Sequence, residues 1–204
     1  MSVRSLAKLA LVLACSGLCG CVSLFPKSQP SQLYRFGGPS AVASPSTPAP
    51  NAVVVAVGAV VFPDDAATDR ILTTDGEQAA YIRGARWVSP APVLFQEALA
   101  RAFEAPGAPR LVPSTAIARA ALVLNLQVQA FETRYDQGPK AAPDVVVQVR
   151  AQLFRTDGRI LVSDQILTST ARASDNRMGP IVRAYDQAVA DVLAKLVDLA
   201  RQAA

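Results

Sequence analysis

Three long β patterns near the C-terminal end limit what this chain can become. Ala121 to Phe131 opens as a continuous apolar stretch and then alternates strictly between apolar and polar residues. Val145 to Phe154 alternates in the same way, and Thr156-Asp157-Gly158-Arg159 supplies a tight hairpin turn before Ile160 to Ala171. Successive side chains on a strand project to opposite faces, so a period of two gives each strand one core face and one wet face. With a polar loop over 136–143 and the short turn, the three strands predict an antiparallel meander. Something apolar must cover its core face.

The cover is visible in the same sequence. From about Pro180 to Ala203, Ile181, Tyr185, Ala188, Val189, Val192, Leu196 and Leu199 recur at helical spacing, while Arg183, Asp186, Asp191, Lys195 and Arg201 lie off that stripe. A second amphipathic helix is predicted from Pro92 to Glu104 after Ser89-Pro90, closed by Pro106-Gly107. Upstream, Val53 to Val61 is apolar on both faces, as a central strand is, and Pro63 ends it. Arg70 to Thr74 and Ala79 to Trp87 flank Asp75-Gly76 and read as a hairpin with a loose turn. Gln32 to Phe36 alternates as one small strand able to dock back onto the domain. The expected architecture is α+β: a single domain, a mostly antiparallel sheet and two main helices packed on one face. Residues 52–204 form that domain, and residues 21–51 hold the short strand and a Pro/Ser/Ala-rich stretch, 37–51, expected as a flexible or polyproline-like linker.

Residues 1–20 have a different purpose. Arg4 and Lys8 precede an apolar run from Leu9 to Leu18, and Leu18-Cys19-Gly20-Cys21 places a small residue before a cysteine with Leu three positions upstream. That pattern reads as a lipoprotein signal cleaved before Cys21, with lipid attached to the Cys21 sulfur. The run is ~10 residues, about half of a membrane span. Two or three acyl chains hold a protein on a bilayer permanently, each buried methylene contributing about 0.8 kcal/mol. No Asp follows Cys21, which favours the periplasmic face of the outer membrane.

Composition then narrows the chemistry. All three cysteines lie in or at the end of the signal, so no disulfide is expected and stability rests on core burial. The chain contains no histidine, which removes the commonest general base, the Ser-His-Asp triad and the usual metal ligand. Asp64-Asp65 with Asp69 fits no calcium loop, and there is no phosphate-binding glycine motif. No catalytic residue, metal ligand or cofactor site is expected. Loss of Arg4 and Lys8 with the signal leaves 18 basic against 16 acidic residues, without a basic run, so nucleic acid is not an expected partner. Trp87, the sole tryptophan, reads either as a packing residue or as an aromatic anchor; with Tyr81, Arg83 and Arg86 it makes the candidate partner contact.

Taken in order, several segments resemble the ABC-type transport auxiliary lipoprotein family, which includes the paraquat-inducible protein C-like proteins. They are the lipobox, Gln32-Leu33-Tyr34, Val53–Val61 ending at Pro63, Asp69-Arg70-Ile71 leading to Trp87, the Leu94-Phe95-Gln96-Glu97-Ala98-Leu99 helix, the Phe154–Gly158 turn and the long last helix. Where the family reads Trp-Ala-Glu-Pro-Leu, this chain has Trp87-Val88-Ser89-Pro90-Ala91. The resemblance implies a non-catalytic accessory, lipid-anchored at the outer membrane through Cys21. Its partner would be an MCE-domain protein of an ABC-type transporter moving lipid or other hydrophobic cargo, and a ring-shaped homo-oligomer is compatible. The residues alone also fit a lipoprotein adaptor or activator for another envelope complex, such as a cell-wall synthase or a secretion machine. An envelope hydrolase using a Ser-Lys or carboxylate site is the remaining class.

Overall fold

The computed structural model describes residues 30–38 and 52–203; the signal, Cys21 and most of the expected linker lie outside them. The described elements are β1 (Gln32–Tyr34), β2 (Val54–Val61), β3 (Arg70–Asp75), β4 (Gln78–Trp87), α1 (Ala91–Ala102), β5 (Arg110–Val112), β6 (Leu122–Arg134), β7 (Asp144–Arg155), β8 (Ile160–Arg172) and α2 (Met178–Gln202). A short 3-10 stretch, Ser114–Arg119, joins β5 to β6. The domain is α+β, with an open eight-stranded sheet whose long ladders, β6 with β7 and β7 with β8, are antiparallel. The predicted meander is present, with a turn at Asp157–Arg159.

The sheet forks at β6. One edge of β6 pairs with β7 along its whole length. The other edge pairs in parallel with β2 from Leu122 to Gln127, then with β3 at Thr133 and Arg134. β5 extends the first branch beyond β2, while β4 and β1 extend the second beyond β3. These parallel ladders join segments far apart in sequence, and periodicity within a segment carries no information about its neighbour. A bulge in β2 between Val57 and Val60 lets the first branch peel away. It is held by Asn125, whose Oδ1 accepts the Ala59 N–H at 3.0 Å. A Cβ on Gly58 would stand 2.0 Å from that same oxygen, so a side chain there would force Asn125 out of its bond to Ala59.

The helices cover the face predicted for them. Val145, Val147, Val149, Ala151 and Leu153 of β7 are fully buried beneath α2. The α2 stripe read from the sequence is buried throughout, and Ala184, Leu193, Val197 and Ala200 join it, because α1 packs along the flank of α2. Two expectations change. The β3–β4 turn is not loose: Asp75 pairs with Gln78 across a two-residue connection, Gly76-Glu77. The N-terminal segment is also more than an accessory strand. The compact unit begins at Ser31 rather than at Ala52, and Phe36 lies fully buried near the centre of the core. Its ring is 4.9 Å from Trp87, 5.1 Å from Phe131 and 6.3 Å from Tyr185.

Candidate functional site

The four residues read as a contact surface separate into two groups. Trp87 is 2% exposed and packs edge-on against both Phe36 and Tyr185. It is therefore a core residue and presents no ring to a partner; the aromatic-anchor alternative is corrected. The reason lies in the β1–β4 pairing, which sets Tyr34 beside Trp87 and brings Phe36 over its ring. Arg83, Arg86 and Tyr81 stay at the surface of the same strand. Between its pairings of Leu72 with Tyr81 and of Arg70 with Arg86, β4 runs through four residues against one on β3. This excursion pushes Arg83 outward.

The local electrostatics are cationic but partly satisfied. Arg86 Nη1 donates to both carboxylate oxygens of Asp69 at 2.9 Å. The Arg70 guanidinium carbon lies 3.7 Å from the centre of the Tyr81 ring, an attraction between cation and ring quadrupole. The Tyr81 hydroxyl donates to the Asp65 carbonyl at 3.0 Å, which fixes the ring as a shelf for Arg70. Arg70 belongs to this surface although the sequence argument passed over it; its position directly across from Arg86 needs the β3–β4 register.

Two concave regions flank α1. One, of about 860 Å³, opens between α1, β2 and the β5 segment, with Val53, Val57, Val60, Leu99, Phe103 and Leu111 on its walls. The other, of about 980 Å³, runs between α1 and α2 over Ala98, Ala102, Val189, Leu193 and Val197. Arg201 stands between them and is fully committed: it donates to the carbonyls of Pro106 and Gly107 and to Asp198. It ties the loop after α1 to the end of α2. At the other end of the second groove, Asp186 Oδ1 accepts the Gly37 N–H at 2.7 Å, and Arg101 donates to the Gly37 carbonyl. Gly37 has φ 63, and a Cβ there would meet that of Ala98 at 2.7 Å. Burial raises the Asp186 carboxyl above its ordinary range, opposed by the N–H groups of Gly37 and Gly38.

Shifted protons elsewhere have structural causes. Burial pushes the Tyr185 hydroxyl well up, and that hydroxyl accepts from Thr133 Oγ1 at 3.2 Å. On the uncovered face of the meander, hydrogen bonds from Arg150 and Gln152 hold Asp164 down to about 2. Among the described residues, no group of three His, Cys, Asp or Glu side chains could hold a metal ion, and no helix is long and apolar enough to cross a membrane. The arrangement offers surfaces and clefts for contact.

The model of one protein family, described as ABC-type transport auxiliary lipoprotein component, matches residues 34–197. The fold is similar to that of a Xanthomonas campestris protein of the family model DUF330. That likeness has a TM-score of 0.68 and 20% identity, over 84% of this chain and 96% of the other. It is also similar to an uncharacterised protein of known structure, with a TM-score of 0.62 and 16% identity, over 84% and 99% of the two chains. Comparison with curated proteins returned no match.

Proposed function

The chain belongs to the ABC-type transport auxiliary lipoprotein family, and from that premise we propose that it is a non-catalytic docking subunit of an MCE-type lipid transport system, anchored at the periplasmic face of the outer membrane. The observation that carries the reading is the family match across nearly the whole described domain. The lipobox ending at Cys21 supports the anchor. Its acyl chains remove any need for a membrane-spanning element.

Sheet topology supports a direction for this docking. β1 runs antiparallel to β6 through the β4 and β3 ladders, so the chain enters the sheet at the end away from the β7–β8 turn. Eleven residue steps separate Cys21 from Gln32, a reach of at most about 40 Å. In this reading the β1 entry faces the anchoring bilayer and the β7–β8 turn points towards the partner. The exposed Arg70, Arg83 and Arg86 surface with Tyr81 flanks that axis and serves as a side contact, either to the partner or to a neighbouring copy in a ring.

The test is an affinity capture of tagged, lipidated protein from crosslinked, solubilised envelopes, read by mass spectrometry. Recovery of an MCE-domain protein with a permease and an ATPase is the expected outcome. Recovery of cell-wall synthases or a secretion pore in its place overturns the transport reading. Cys21→Ser is expected to move the protein from the membrane fraction to the soluble periplasm with its fold intact. Membrane retention of that variant refutes the anchor.

A further inference from the structure

One end of the sheet collects arginines that the domain itself does not use. There β5 begins at Arg110, Arg119 closes the 3-10 stretch leading into β6, Arg155 ends β7 and Arg159 ends the turn before β8. All four are exposed. One carboxylate answers them: Asp157, 3.7 Å from Arg155. Among the described residues Arg110, Arg119 and Arg159 have no carboxylate partner, and Glu104, which shares a cleft with Arg110, already has a partner of its own. Composition does not explain the cluster. Lys27 lies outside the described residues, so the 18 basic and 16 acidic residues that follow the signal become 17 against 16, a domain close to neutral.

The four arginines are held along one firm line. The strand order at this end is β5, β2, β6, β7, β8. The Arg110 N–H donates to the Val53 carbonyl at 2.8 Å, the Ala121 N–H to that of Val54 at 2.9 Å, and the Thr156 N–H to that of Ala121 at 3.0 Å, which ties the strand starts to the turn. Neighbouring strands lie about 4.8 Å apart, so each arginine backbone stands within about 10 Å of the next and the line is about 19 Å long. The Debye length at 0.1 M salt is also about 10 Å, so their fields add. Ile117, two residues before Arg119, and Ile160, next to Arg159, are 37 and 55% exposed. Arg159 is the one non-glycine among the described residues with a positive φ, 52°. Asparagine or glycine holds such a turn with less strain, and no contact within the domain requires a guanidinium there.

We infer that the line of Arg110, Arg119, Arg155 and Arg159 docks an acidic face of a partner protein, with Ile117 and Ile160 as its apolar contacts. This rests on the proposed reading that the β7–β8 turn points towards the partner, and it names the chemistry of that contact. Guanidinium forks pair with carboxylates in two-bond geometry, and arginine is enriched at protein interfaces. A line of about 19 Å exceeds any single carboxylate or phosphate group and matches a patch of protein surface. A second copy is a poorer occupant, because two such ends brought together set like charges face to face. An anionic bilayer is poorer too: the β1 entry, towards the anchor, lies at the far end of β6, whose thirteen residues span about 43 Å.

The test places a photoreactive benzophenone amino acid at position 117 of the tagged, lipidated protein, crosslinks it in isolated envelopes and sequences the crosslinked peptide by mass spectrometry. The expected product is a peptide of another protein in which Asp and Glu clearly outnumber Lys and Arg. Arg119→Glu/Arg159→Glu should cut its yield at least tenfold, and the neutral Arg119→Gln/Arg159→Gln should give an intermediate loss. Raising NaCl from about 0.1 M to about 1 M, where the Debye length falls to about 3 Å, should lower the yield at least fivefold. The same charge change at the start of α2, Arg177→Glu/Arg183→Glu, suits the helix dipole and should leave the yield within twofold. Unchanged Trp87 emission shows that each variant is folded. No product, a neutral or basic peptide, a product with phospholipid or with a second copy, or equal losses from the two charge reversals overturns the proposal. An acidic peptide from a cell-wall synthase or a secretion pore upholds the docking chemistry and overturns the transport reading. Capture of the MCE-domain protein without an acidic crosslink does the reverse.

Discussion

Phe36 is the residue whose removal tests the packing argument most directly. Its ring is fully buried, in contact range of Trp87, Phe131 and Tyr185, and it arrives from a segment that lies outside the main run of the domain. Truncating a buried phenylalanine costs about 3–5 kcal/mol, from lost transfer energy and the cavity left behind. The remaining attachments are modest: the short β1 ladder, the Val88 N–H to the Tyr34 carbonyl at 2.8 Å, and the Gly37 bonds to Asp186 and Arg101. The Arg35–Glu97 pair is exposed and contributes about 0–1 kcal/mol. Phe36→Ala should therefore undock β1 and expose Trp87 to water. Because Trp87 is the only tryptophan, its fluorescence reports this without ambiguity. A red-shifted native emission, faster amide exchange from Leu33 to Gly37, and a loss of about 3–5 kcal/mol in urea unfolding are expected. An unshifted emission with a loss under about 1 kcal/mol would refute the reasoning, since a ring so placed cannot be removed silently.

Other perturbations read separate parts of the fold. Tyr185→Phe leaves the buried Thr133 hydroxyl without its partner and should cost about 1–3 kcal/mol; adding Thr133→Val should recover most of that, as a double-mutant cycle in urea will show. Gly58→Ala drives a methyl into Asn125 and breaks the bulge cap, so a loss of about 1–3 kcal/mol is expected, and less than additive behaviour with Asn125→Ala. The Asp164 carboxyl should titrate near 2 rather than at its ordinary 3.8, because its first cause is the hydrogen bond from Arg150. With the folded value below the unfolded one, its stabilising effect is present above the ordinary carboxylate range and is lost as pH falls towards 2. Carbon NMR of the carboxyl checks this, and Arg150→Gln should return the midpoint upward.

What the sequence determined by itself was local and periodic. The alternation in β6, β7 and β8 and the stripe on α2 each assign a face to every residue, because burial of one face is the only way such patterns lower their free energy. That was enough for an α+β meander under two helices. Tertiary structure decided whatever depends on which segments meet. The parallel pairing of β2 and β3 along one edge of β6, the entry of Phe36 into the core and the loss of Trp87 from the surface all follow from contacts between distant segments. An apolar residue in a strand announces that it seeks cover, and only the assembled sheet says which partner provides it.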